Sequence, residues 1–336
     1  MSNFLFVNGQ IRAQESKLLN VNRLDRMIGA KTPEEAFRVF VELQYSEYFD
    51  DNIEPKDFAK VIQQGLKETR KLIVSGTENA PGLQILWLRF DINNLKRALK
   101  LKYLEGKTSI EDFSEEGGFS DLGNLNQKFL EEVVFEGKTR KELPDLLKNV
   151  VDRTEAILAE HDKAFRFVEY ALDQAYFATL NIIVKKSISP FLKELFAFMV
   201  DRINFRNLAR SIFILEEPLV DATWIGFGNV AFTSIQEIKT VQNFIAWTSQ
   251  TRFSEIGKEL DETLSKEENL VKIEKSLDAA YQKFLDQSVL GEIGSIQIPF
   301  AYFERRLRNA RLLRFVMFAK FHDINSEEIY KTLAHF

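Results

Sequence analysis

The chain has 336 residues, 45% hydrophobic and 28% charged, with 45 basic against 50 acidic side chains and a net charge of −5. This composition excludes a disordered chain, and the slight acidity argues against a whole-surface nucleic-acid binder while leaving room for a local basic patch. Cysteine is absent and only three histidines occur (His161, His322, His335), which excludes disulfides, thiolate nucleophiles, Fe–S clusters, Cys-ligated zinc and any His-rich metal centre.

The N-terminus, Met1 to Arg12, lacks a basic start and holds only a four-residue apolar run, Phe4–Val7, so it does not read as a signal peptide. Helical spacing begins with Leu24, Met27 and Ile28 and continues through Ala36, Phe37, Phe40 and Leu43. It returns at Leu146, Val150 and Val151, at Ile157 and Leu158, and at Phe165, Val168, Ala171 and Leu172. Capping boxes, in which a hydroxyl and a Glu three residues on satisfy free helix-start donors, are readable at Thr32…Glu35, Thr108…Glu111, Thr139…Glu142 and Ser265…Glu268. The longest uncharged stretch, Ala222–Gln236, is too short and too polar to cross a bilayer. Ile296–Ile298 is too short for a strand, Pro (7) and Gly (15) are sparse, and the fold class predicted is all-α.

Three segments resemble one another: Asp91-Ile-Asn-Asn94-Leu-Lys-Arg-Ala-Leu99, Asn204-Phe-Arg-Asn207-Leu-Ala-Arg-Ser-Ile212 and Arg306-Leu-Arg-Asn309-Ala-Arg-Leu-Leu-Arg314. Aligned on Asn94, Asn207 and Asn309, each has an apolar residue two before and one after, an i, i+3 pair on one helix face. A second element, Leu172-Asp-Gln-Ala-Tyr176 and Leu277-Asp-Ala-Ala-Tyr281, with a weak copy at Ile62–Leu66, precedes each, and Pro81, Pro190 and Pro299 fall between. The predicted unit is helix, proline-marked turn, helix, repeated in residues 1–112, 113–224 and 225–336. Three such units are too long and too few for a solenoid; closed around a pseudo-threefold axis they would form a compact ring or funnel with a central hollow.

No motif specifies a catalytic, cofactor or metal site. Gly106-Lys-Thr108 and Gly137-Lys-Thr139 lack the Gly of a phosphate loop five residues upstream, where Leu101 and Glu132 stand, and read as helix-ending glycines followed by a capping Thr. Gly226-Phe-Gly228-Asn-Val-Ala231 lacks the flanking strands and downstream acid of a dinucleotide fingerprint and reads as a flexible interhelical loop. Glu115-Glu116, Glu131-Glu132 and Glu267-Glu268 read as solvated faces or helix starts.

The one dense cluster is Arg305, Arg306, Arg308, Arg311 and Arg314, with no acid between Glu304 and Asp323. It is interleaved with apolar residues all round a helix, so the helix is expected to be mostly enclosed. The arginines read either as internal salt bridges or as a partner-facing basic wall. Arg97, Arg202, Arg206 and Arg210 beside the other two Asn positions extend the candidate lining. The Asn residues themselves read as polar ties between helices.

The opening Phe6-Val-Asn-Gly-Gln-Ile-Arg-Ala-Gln-Glu-Ser-Lys-Leu-Leu19, the stretch from Leu24-Asp-Arg-Met-Ile-Gly-Ala30 to Leu43-Gln-Tyr45, the Leu172–Tyr176 element, Pro190–Glu194 to Asn207-Leu208, and Arg305 to Ile329 resemble the C subunit of archaeal and bacterial A/V-type ATPases, with the eukaryotic d subunit a more distant relative. The chain departs from the family in Phe4 and Phe6 for a Tyr-rich start, Gln44 for Thr, and Gly9-Gln10 for Ala-Arg. The resemblance implies a funnel of three helical units, without an active site, on the cytoplasmic face of the membrane. It implies a socket in the central stalk between the D and F subunits of the shaft and the membrane proteolipid ring, with no nucleic acid and no direct bilayer insertion. The readings weighed against it are an all-α enzyme or phosphate-binding protein using the Arg305–Arg314 cluster, and a generic helical adaptor.

Overall fold

The computed structural model describes residues 4–42, 53–78, 80–110, 119–138, 143–215, 223–236, 238–260 and 266–333. Among these, every regular element is helical, as the sequence predicts. The chain divides into two compact units, one formed by Met1–Ala80 with Gln282–Phe336 and the other by Pro81–Tyr281.

The first unit holds α1 (Leu5–Glu15), α2 (Val21–Gly29), α3 (Pro33–Val41), α4 (Phe58–Gly76), and, from the C-terminal segment, α14 (Gln297–Phe321) and α15 (Ser326–Leu333). Helix α3 starts where the Thr32 box predicts: Thr32 Oγ1 accepts from Glu35 N (3.2 Å), and the Glu35 carboxylate accepts from Lys31 N (2.8 Å). The partner residues Glu111, Thr139 to Glu142 and Ser265 of the other three boxes lie outside the described residues. Helix α14 is the centre of this unit and packs on α1, α3 and α4. Four consecutive side chains, Phe300, Ala301, Tyr302 and Phe303, are all buried, so the first half of α14 is enclosed as its sequence implies. Lys320, near its end, donates to Ile28 O (2.5 Å) and Ala30 O (2.8 Å), closing the C-terminus of α2. Burial lowers the Lys320 pKa below the usual lysine value.

The second unit holds α5 (Gln84–Tyr103), α6 (Gln127–Leu130), α7 (Asp145–Asp152), α8 (Thr154–Glu160), α9 (Arg166–Lys186), α10 (Pro190–Arg210), α11 (Val241–Thr248), α12 (Ser254–Glu259) and α13 (Lys266–Ser288) as far as Tyr281. Helix α9 packs on α5, α7 and α10. Phe205 is the hub of an aromatic core, with Phe244, Trp247 and Phe253 ring centroids at 5.0, 5.5 and 5.2 Å. Pro81 opens a single 3-10 turn ahead of α5, and Pro190 is the first residue of α10. Pro299 lies inside the first turn of α14, so the turn between α13 and α14 is made instead around Gly291, whose φ of +75° suits a glycine. Gly106 and Gly137 also take left-handed φ (+64° and +69°) behind α5 and behind the π-helical turn Glu131–Phe135. That is the helix-ending role expected of them, and Thr139 lies outside the described residues.

The second unit carries one polar clasp twice, on α5 and on α10. On α5, Asp91 and Asn94 lie three residues apart on one face, both buried. The Asn94 amide pairs in both directions with the backbone of Ser120 (2.8 and 2.9 Å). Asp91 Oδ1 accepts from the backbone N–H of Asn124 (2.7 Å) and Leu125 (2.8 Å). On α10 the same arrangement is made by Asp201 and Asn204. Asn204 pairs in both directions with Ile225 (2.9 Å each), and Asp201 accepts from Asn229 N (2.8 Å) and Asn229 Nδ2 (2.9 Å). The structural equivalent of Asn94 is therefore Asn204, three residues before Asn207. Both lie on one face of α10 at i, i+3 spacing, and among the described residues the Asn207 side chain makes a single hydrogen bond, Nδ2 to Thr223 O (3.0 Å). The loop containing Gly226 and Gly228 is not a loose connection: Asp201 and Asn204 hold it. A buried carboxylate is costly unless its oxygens are satisfied, and here the loop's own N–H groups satisfy them.

Candidate functional site

The nine arginines singled out by the sequence separate into distinct environments. Arg202 pairs with Asp278, Arg206 Nε with Glu274 (2.8 Å) and Arg210 with the other Glu274 oxygen (3.3 Å), forming a ladder between α10 and α13. Arg202 also lies over the Tyr281 ring, 5.1 Å from its centroid. The corresponding ladder between α5 and α9 uses lysines: Lys96 to Asp173 (2.5 Å) and Lys100 to Glu169 (2.7 Å). In both ladders a basic second helix of one pair meets an acidic first helix of the next, and the acid numbers fall as the basic numbers rise, as antiparallel helices require. Arg97, half-buried, sits over Phe119 at 6.0 Å.

Burial raises the Asp173 carboxyl above its usual range, with Lys96 pulling the other way. A raised carboxyl pKa means that the folded chain holds this proton more tightly than the unfolded chain. Its contribution therefore favours folding below the ordinary value of 3.8 and is lost as pH rises through the raised value. Lys96→Met removes the opposing charge, and we expect it to cost about 1–2 kcal/mol at neutral pH. The deficit should shrink as pH falls through the carboxyl's titration. The double change Lys96→Met/Asp173→Leu should restore stability to within about 1 kcal/mol, because no unpaired charge is left behind. Urea midpoints of the three variants against pH check this.

On α14 the same residue type splits three ways. Arg305 bridges Glu15 of α1 (2.8 Å) and Asp286 (2.7 Å). Arg306 is 1% exposed, with Nε to Thr69 Oγ1 (3.3 Å) and Nη2 to Gly65 O (3.4 Å) on α4. Asn309, with its amide oriented so that Oδ1 accepts from Leu19 N (2.9 Å) and Nδ2 donates to Arg305 O (3.2 Å), ties α14 to the chain after α1. Arg308, Arg311 and Arg314 are exposed, and Arg308 and Arg311 have no acidic partner among the described residues. The exposed positions 308, 311, 314, 318 and 321 recur at three- and four-residue steps, so one stripe of α14 presents the three arginines followed by Phe318 (55% exposed) and Phe321 (38%). The second half of the helix is thus less enclosed than its apolar content implies.

No helix among the described residues is long and apolar enough to cross a membrane, and no cluster of three or more His, Cys, Asp or Glu side chains there could hold a metal ion. What the surface offers is a cationic and aromatic helix face. A family model described as ATP synthase (C/AC39) subunit matches residues 7–332. The chain belongs to that family. Relatives include the C subunit of the A-type ATP synthase of Thermococcus onnurineus (strain NA1), 21% identical over 324 residues that cover 93% of this chain and 84% of the relative. The C subunit of the A-type ATP synthase of Methanocaldococcus jannaschii is 23% identical over 297 residues, covering 82% of this chain and 72% of the relative. The resemblance read from the sequence is met by these matches, and the ATP synthase context follows from the family.

The clasp residues Asp91, Asp201, Asn204, Gly123 and Gly228 are the ones sequence reasoning missed. The signal that finds them is the Gly-Asn dipeptide, which recurs as Gly123-Asn124 and Gly228-Asn229 behind an Asp-x-x-Asn helix. The clasps hold loops to α5 and α10, and the ladders join α5 to α9 and α10 to α13.

Proposed function

We propose that the chain is the non-catalytic socket of the central stalk of a rotary A/V-type ATPase, joining the D/F shaft to the membrane proteolipid ring on the cytoplasmic face and passing torque between them. The observation that carries this reading is the family match across residues 7–332. The three successions of long helices, α4 to α5, α9 to α10 and α13 to α14, support an organisation in three kindred modules over residues 1–112, 113–224 and 225–336. Close-packed helices joined by ladders and clasps transmit strain with little compression, which is what a mechanical coupling needs.

The partner-facing residues on this reading are Arg308 and Arg311, with Arg314 beside them, since the other candidate arginines are engaged within the fold. Exposed arginines of this kind recognise carboxylates bidentately and lose little stability when changed. The tagged full-length chain should co-purify with the D, F and proteolipid subunits. Arg308→Glu/Arg311→Glu should weaken capture of one of these partners by at least about tenfold with the melting temperature unchanged. Undiminished capture by the double variant would remove the basic stripe from the interface. Failure of the unaltered chain to capture any of the three would remove the socket role itself.

A further inference from the structure

We propose that the turn joining α9 to α10 docks on the headgroup layer of an anionic phospholipid surface. Ile188 at its tip is 95% exposed, the highest exposure of any large apolar side chain among the described residues. It is held outward by a fixed turn. Ser187 N donates to Val184 O (3.0 Å), Ser187 Oγ accepts from Ser189 N (3.1 Å), and Ser189 Oγ accepts from Leu192 N (3.4 Å) as the cap of α10. Lys185 and Lys186 precede the tip and Lys193 follows it, all exposed and without an acidic partner among the described residues. Between Asp173 and Glu194 these lysines are the only charged residues, and Glu194 faces Arg252 Nη2 at 3.6 Å. Ile182, 48% exposed, lies three and four residues before the lysine pair and so on their side of α9.

Lysines in a last helical turn complement the helix dipole, which accounts for Lys185 and Lys186 but not for an isoleucine pointed into water. An anionic lipid surface satisfies both. Phosphates take the ammonium groups, the Ile188 side chain enters the interfacial region, and the lysine stems lie along it. A merely acidic protein surface would satisfy the cations and leave Ile188 without a partner. This is contact at the interface, with no spanning segment, and it holds independently of the torque-transmitting role.

The test is co-sedimentation of the full-length chain with vesicles of phosphatidylcholine alone or mixed with phosphatidylglycerol. Binding is expected only to the mixed vesicles, and it should vanish as salt rises from about 0.1 M to about 1 M and the screening length falls from about 10 Å to about 3 Å. Lys185→Gln/Lys186→Gln/Lys193→Gln should lower the partition coefficient by about fivefold per lysine, on the order of 100-fold together. Ile188→Ser should lower it about fivefold, with the melting temperature of both variants unchanged, as expected for exposed positions. Equal binding to neutral vesicles, insensitivity to salt, or parental binding by either variant would overturn the proposal. Tighter binding of the unaltered chain to a polyglutamate peptide than to the mixed vesicles would overturn it in favour of an acidic protein partner.

Discussion

Gly228→Ala should lower the unfolding free energy by about 3 kcal/mol, while Gly226→Ala, two residues away in the same loop, should change it by less than about 0.5 kcal/mol. A Cβ on Gly228 would stand 2.3 Å from Asp201 Oδ1 and 3.0 Å from Val200 Cγ1, whereas one on Gly226 meets nothing within 4 Å. The carboxylate cannot retreat. It is buried, it accepts from Asn229 N and Nδ2, and Arg252 Nη1 lies 3.7 Å away. Making room for the methyl group therefore breaks charge-assisted bonds to the loop and leaves a buried anion less well satisfied. Gly123→Ala should behave like Gly228→Ala, since its Cβ would stand 2.2 Å from Asp91 Oδ1 and 3.2 Å from Asp91 N, a backbone atom. Urea denaturation of the three variants checks the ranking. Equal stability of Gly226→Ala and Gly228→Ala would show that the clasp is looser than its hydrogen bonds imply.

The clasp also shows where reading from sequence stops. Helix class follows from local rules: the Thr32 cap and the spacing of Ala36, Phe37 and Phe40 need no knowledge beyond a few neighbours. The repeat is a weaker signal because α10 carries Asn204 and Asn207 on one face, and an alignment on local apolar neighbours selects Asn207. The deciding partner, Ile225, is 21 residues downstream in a loop without periodicity. The arginines are illegible for a related reason. Periodicity places them all round α14, and their fate is set by acids and carbonyls far along the chain: Glu15 is 290 residues from Arg305, and Gly65 is 241 from Arg306. Pattern gives the helix, and long-range packing sorts its charges into structural and exposed.

Arg306→Ala is the sharpest expression of that sorting, and it should cost about 3–5 kcal/mol of stability, against less than about 0.5 kcal/mol each for Arg308→Ala and Arg311→Ala. Arg306 is among the largest fully buried side chains of the chain. Its guanidinium fork reaches Thr69 Oγ1 and Gly65 O on α4, and Thr69 Oγ1 itself donates to Gly65 O (2.8 Å), so one arginine closes a small network that pins α14 to α4. Truncation empties the volume of the side chain and removes the donors together. Arg306→Lys should recover little, because a single ammonium cannot reproduce the planar fork across two acceptors. Partner capture separates the two classes of arginine. Arg306→Ala should weaken it only in proportion to the unfolded fraction, while changes at Arg308 and Arg311 should weaken it in a fully folded protein. An Arg306→Ala variant with a parental urea midpoint would contradict the network, and one with parental stability but lost capture would return Arg306 to the interface.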